Sequence, residues 1–204
     1  MDVAISDYFR HLGELGRRTE ATDGSGRVLS LDGAVQRAVE MALAVKAAGS
    51  RVMFVGNGGS AGIASHMATD WLKNGGFAAT CFNDPAALTC ISNDLGYERV
   101  FALQLARHAR KGDLLFAISS SGKSPNILSA VSEAKKHGVD VITFSGFESE
   151  NPLRKLGALN FWLPDGHYGF VEIGHLALCH ALLDIAMGWR KPGDLPVTMA
   201  AASV

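Results

Sequence analysis

Residues 114–118, Leu-Leu-Phe-Ala-Ile, are apolar without a break and run straight into Ser119-Ser120-Ser121-Gly122-Lys123-Ser124-Pro125-Asn126. A strand with no polar side must be covered on both faces, which is the condition of a strand inside a parallel sheet. The next parallel strand is reached only by a crossover, and the helical pattern of residues 125–137, with Gly138 as its stop, supplies one. Ser124-Pro125 marks the helix start, with the serine in the capping position and the proline in the first turn. The same rhythm recurs along the chain. Val52-Met53-Phe54-Val55 reads as a buried strand running into Gly56-Asn57-Gly58-Gly59-Ser60 and a helix to about Leu72. Val139 to Phe144 and Leu159 to Leu163 read as two more strands, and residues 170–189 form the longest helical pattern. Strand–helix alternation of this kind predicts an α/β fold, a parallel sheet with helices on both faces.

The first 48 residues read differently. Two helical patterns, about 3–21 and 31–48, flank Asp23-Gly24-Ser25-Gly26, and no strand pattern is present. The second helix carries Val35, Val39, Ala42, Leu43 and Val45 as an apolar stripe. The division expected is therefore a helical extension over 1–48, an α/β domain over 49–190 and a loose tail over 191–204. Residues 98–110 look helical, whereas Leu88-Thr89-Cys90-Ile91 fits either a short strand or a helix start. A chain of 204 residues that is 48% hydrophobic is long enough for one proper core. With 19 basic and 20 acidic residues it has no basic field for nucleic acid. Three cysteines without metal-type spacing fit a reducing, cytoplasmic compartment. No signal-peptide pattern and no apolar run of about 20 residues is present, so a membrane is not expected.

Both the glycine-rich and the serine-rich loop follow strands, where ligands of open parallel sheets bind. A helix N-terminus offers free N–H groups and partial positive charge, and the serines add hydroxyl donors. The pair predicts a phosphate site. There is no lysine-plus-hydroxyl P-loop, which disfavours a nucleoside triphosphate. Gly56, Gly58 and Ala61 fit a dinucleotide fingerprint formally, but no acidic residue closes a second strand about 20 residues on. His66 and Asp70 are four apart and share a helix face. Glu172 and His180 are roughly 12 Å apart along a helix axis, so spacing alone does not bring them together. Cys179 reads as core, Trp71 and Trp189 as packing residues, and His167 as a turn residue.

Gly56-Asn57-Gly58-Gly59-Ser60, Asn93-Asp94-Leu95-Gly96-Tyr97 and the serine loop, in this order, resemble the sugar isomerase (SIS) domain and, within it, the phosphoheptose isomerase branch. The resemblance spans roughly residues 35–190. It implies a three-layer αβα sandwich, flavodoxin-like, with a five-stranded parallel sheet and N-terminal helices that build a homotetramer with active sites between subunits. It implies isomerisation of sedoheptulose 7-phosphate to D-glycero-D-manno-heptose 7-phosphate for surface polysaccharide. By motif, Asn57, Gly58, Gly59, Ser60, Ser119, Ser120, Ser121 and Ser124 would hold the phosphorylated sugar, with Asp94 near its carbon chain. Asp70 and His180 would be catalytic, Glu172 would touch substrate, and His66, Asp70, Glu172 and His180 would be the positions through which some members bind zinc. The chain departs from the family pattern at Asp70, normally glutamate, at Glu172, normally glutamine, and at Asn74, normally arginine. A phosphosugar-binding regulator without turnover, or an isomerase of another phosphosugar, is the alternative.

Overall fold

The structure, a computed structural model, describes residues 4–192. In chain order the elements are α1 (Ile5–Arg18), β1 (Glu20–Asp23), β2 (Val28–Leu29), α2 (Leu31–Ala47), β3 (Arg51–Gly56), α3 (Gly59–Lys73), β4 (Ala78–Cys81) and α4 (Pro85–Leu95). They continue with α5 (Ala102–His108), β5 (Leu114–Ser119), α6 (Pro125–Lys136), β6 (Asp140–Gly146), β7 (Leu159–Leu163) and α7 (Tyr168–Ala186), with short 3-10 turns at 97–99 and 152–155.

The strands form one sheet in the order β2-β1-β7-β6-β5-β3-β4. Five of them, β7, β6, β5, β3 and β4, are parallel, as the apolar runs require. Two further strands extend the sheet. β1 pairs antiparallel with β7, and β2 with β1. The expected five-stranded parallel sheet is present with two antiparallel strands added at one edge, and the expectation of no strand before residue 49 is corrected. The cause is the segment taken as an inter-helix spacer. Asp23 accepts from the backbone N–H groups of Ser25 and Arg27, and Gly26 adopts φ +83°, so 23–27 close a hairpin. The first helix accordingly stops at Arg18 instead of reaching residue 21.

Each buried strand sends alternate residues to opposite faces. Phe54, Phe116, Phe144 and Phe161 point to one face and stack across β3, β5, β6 and β7 at centroid separations of 4.9, 5.8 and 5.4 Å. α2, α3 and α7 cover them with Val39, Ala42, Met67, Trp71, Cys179 and Leu182. Met53, Val55, Leu115, Ala117 and Val141 face the other way, under α5 and α6. α2 thus belongs to the main core. Leu88–Ile91 resolves as helix, started by Pro85 and capped by Asp84, whose carboxylate accepts from Ala87 N–H at 2.8 Å. The region 98–110 is a 3-10 turn followed by the shorter α5.

The chain leaves β3 for the edge strand β4 and then returns to the other side of β3 as β5. The sheet's topological switch point lies between β3 and β5, and ligands bind beyond the strand C-termini at such a point. The glycine loop follows β3, and the serine loop follows β5. α7 is long and apolar enough to cross a bilayer by length and composition alone. In this fold one face of it is buried, through Val171, His175, Cys179 and Leu182.

Candidate active site

A cavity of about 240 Å³ opens between the two loops and is lined by Asn57, Gly58, Gly59, Ser60, Ser119, Ser120, Ser121, Ser124, Tyr168 and Glu172. All eight loop residues expected to hold the phosphorylated sugar thus line one cavity. The helices α3 and α6 both point their N-termini at it, and neither has a side-chain cap. Ser124 does not cap α6, contrary to the reading of Ser124-Pro125 as a capped start. Its hydroxyl lies 3.2 Å from that of Ser119 instead. Two helix N-termini therefore face one polar hollow, an arrangement suited to an anion. Ser120 is buried, and its hydroxyl has no hydrogen-bond partner among the described residues. A buried hydroxyl of this kind is costly unless a ligand or water completes it.

Glycine is required at two places here. Gly122 turns the serine loop at φ +62°, and a Cβ there would fall on the Asn151 side chain. A Cβ on Gly59 would fall on the Glu172 carboxylate, which packs directly over the first turn of α3. That carboxylate sits where the helix dipole favours negative charge.

Gly59 and Glu172 also line a second cavity of about 290 Å³, with Gly62, Ile63, His66, Ile173 and Leu176. Beside it α3 and α7 bring His66, Asp70 and His180 together, with one ligand atom from each lying within 4.8 Å of the others. The two Nε2 atoms are 3.1 Å apart, His66 Nε2 is 3.4 Å from Asp70 Oδ2, and His180 Nδ1 is 4.0 Å from the same oxygen. Two imidazoles and a carboxylate at this spacing form a donor set suited to Zn²⁺ or a similar divalent ion. Glu172 stands outside the converging group. The reason is that α7 begins at Tyr168, so the seven residues between Glu172 and His180 are helical throughout and separate them along the axis.

Asp94 lies in the last turn of α4, exposed, and accepts from Asn93 Nδ2 at 2.7 Å; it lines neither cavity. Its neighbour Tyr97 reaches the site instead. The Tyr97 hydroxyl donates to Asn57 Oδ1 at 3.1 Å, while Asn57 exchanges amide hydrogen bonds of 2.8 and 2.9 Å with buried Asn126. Asn126 stands in the serine motif and Tyr97 in the Asn93–Tyr97 motif, so both were marked by position without being assigned a role. Tyr168 had no such signal. His175 is fully buried, and burial pushes its imidazole down to about 4 although the bond to the Ser145 carbonyl pulls the other way. Cys179 is buried too, and burial pushes its thiol up, which leaves it an inert core residue.

A sequence profile of the SIS domain matches residues 27–146. A phosphoheptose isomerase of Burkholderia pseudomallei is 38% identical over 152 residues, 72% of this chain and 77% of that protein. One from Proteus mirabilis is 32% identical over 181 residues, 83% of this chain and 93% of that protein. The solved structure of the phosphoheptose isomerase of Neisseria gonorrhoeae superposes with a TM-score of 0.77 at 27% identity, over 89% of this chain and 96% of that one.

Proposed function

The chain belongs to the SIS domain family, and we propose that it is an aldose–ketose isomerase of the phosphoheptose type, acting on sedoheptulose 7-phosphate. The observation that carries this reading is the pair of cavities sharing Gly59 and Glu172 as a common wall. One is built for an anion, and the other adjoins two imidazoles and a carboxylate. A phosphosugar laid across the wall has its phosphate among the serines and its reacting carbons near His66, Asp70 and His180.

Isomerisation of the ketose removes a proton from C1 and delivers one to C2 through an enediol. Asp70, in reach of both imidazoles, serves as the base. His180 serves as its acid partner, protonating C2 or the oxygen that loses the carbonyl. Acid–base groups held in this way contribute roughly 10²–10⁴-fold each. A divalent ion such as zinc would be held by His66, Asp70 and His180, with Glu172 reaching from α7 only by reorientation; the acid–base roles above are those of Asp70 and His180 in the metal-free site. When bound, the ion would polarise the sugar carbonyl. A cytoplasmic homotetramer with sites between subunits accords with the family and with α1, whose Ile5 and Phe9 are each 65% exposed in the single chain.

The test is consumption of sedoheptulose 7-phosphate with and without added zinc, together with incorporation of solvent deuterium at C2. Wild type turns over, and Asp70→Ala or His180→Ala falls by at least about 100-fold. Turnover retained in both variants removes the roles assigned. Phosphosugar binding without turnover under every metal tried selects a regulator in place of an enzyme.

A further inference from the structure

The loop between β7 and α7 holds a second ionisable cluster that the proposed reaction does not use. The Asp165 carboxylate, 7% exposed, takes a hydrogen bond from His11 Nε2 of α1 at 2.6 Å on one oxygen. Its other oxygen accepts from the His167 backbone N–H at 2.8 Å and lies 3.1 Å from His167 Nδ1. Burial alone would raise this carboxyl, but the hydrogen bonds from His11 and His167 outweigh it and hold the carboxyl below its usual value. The backbone of Asp165 is engaged as well. Its carbonyl accepts from Phe147 N–H at 3.0 Å, and Phe147 stands at φ +55°, a conformation few non-glycine residues adopt. The Phe147 ring packs edge-on against Tyr168 at 4.9 Å, and Tyr168 is a wall of the serine cavity.

One nearly buried residue thus joins α1, the turn after β6 and His167, the residue that precedes the first turn of α7. α1 is otherwise docked by rings and one aliphatic side chain: Leu15, its one buried residue, packs against Leu163 and Val171, and Tyr8 and His11 lie against Phe170 at 4.4 and 4.5 Å.

We propose that Asp165 is a positioning residue for phosphate binding, fixing Tyr168 at the serine cavity and linking it through His11 to the docking of α1. The inference rests on the reading of the serine cavity as the phosphate site. Asp165 touches no substrate in this role. It holds the start of α7 and the Phe147 turn in the arrangement that sets Tyr168 at the wall of the cavity, and the α1 histidine completes its hydrogen bonding.

A double-mutant cycle on the full chain, read by calorimetric binding of inorganic phosphate, tests it. His11→Ala weakens phosphate binding about tenfold in the wild-type background and less than about twofold in a Tyr168→Ala background. His11→Gln, whose amide can still donate to Asp165, stays within about twofold of wild type. Asp165→Asn keeps an acceptor for the His167 N–H and is expected to match His11→Ala. Additive effects of His11→Ala and Tyr168→Ala overturn the proposal, as does unchanged affinity in His11→Ala or a wild type that binds no phosphate. Because the probe is phosphate and not the sugar, coupling without turnover of sedoheptulose 7-phosphate removes the isomerase reading alone.

Discussion

Gly59 carries two duties that a larger residue would set against each other. It must open the first turn of α3 toward the anion cavity, and it must leave room for the Glu172 carboxylate. Gly59→Ala drives a methyl into that carboxylate, so Glu172 has to swing into one of the two cavities. The colliding atoms are the free end of a flexible side chain, so the swing itself costs little stability, but a displacement of about 1 Å at a reacting centre costs on the order of 100-fold in rate. Kinetics of Gly59→Ala should show that loss, with urea unfolding shifted by less than about 1 kcal/mol. The double variant Gly59→Ala/Glu172→Ala, with the collision removed, should turn over at the rate of Glu172→Ala. A further loss in the double variant would mean that the glycine is needed for something other than the contact. At this scale the sequence was legible where a residue sat in a patterned loop. Ser60, Ser119, Ser120, Ser121 and Ser124 follow apolar strands, and strand order alone delivers them to one place. Tyr168 follows no such loop. It reaches the cavity because the Asp165 turn aims the start of α7, and that turn is held by a histidine more than 150 residues earlier.

α6 separates two explanations of Ser124, the residue that precedes its first turn. Ser124-Pro125 resembles an ordinary capped start, and removing a working serine cap costs about 1 kcal/mol. The hydroxyl makes no capping bond and faces Ser119 instead. Ser124→Ala should therefore cost well under about 1 kcal/mol in urea unfolding, while weakening phosphate binding by several-fold or more. Equal loss in both measurements would restore the cap and take Ser124 out of the ligand set. β4 shows the opposite limit of sequence reading. Ala78-Ala79-Thr80-Cys81 has no branched or aromatic alternation, and it is a strand only because β3 offers a parallel edge to pair with. Local preference is weak where tertiary pairing decides. β1 and β2 went unread for a related reason. Glu20-Ala21-Thr22-Asp23 is too short to show a period, and its partner strand β7 lies near the other end of the chain.

Across the whole molecule, the alternation of apolar runs and helices carried the class of fold and the direction of the parallel strands. The order of the strands was not in any single run, and it is the order that makes β3 and β5 neighbours and so builds one cavity from two loops. The same packing buries His175 on the inner face of α7, the helix that also bears Glu172 and His180, with the imidazole bonded to the Ser145 carbonyl 3.0 Å away. Its ordinary value is 6.5, and desolvation in the fold lowers it to about 4. The unfolded chain therefore binds a proton that the folded chain refuses throughout the interval between those two values. Above pH 6.5 neither state is protonated and the fold pays nothing; as pH falls from 6.5 to 4 stability is lost, and below 4 the loss stops growing. At pH 5 the deficit from this residue is about 2 kcal/mol, from roughly 1.4 kcal/mol per unit of displacement. His175→Gln has no proton to take up and should still offer a donor to Ser145. Its destabilisation relative to wild type, measured by urea unfolding, should therefore be about 2 kcal/mol smaller at pH 5 than at pH 7.5. Carboxylates such as Asp165 titrate in both proteins and cancel in the comparison. Parallel stability curves for the two proteins across that range would show that His175 is not held neutral by burial.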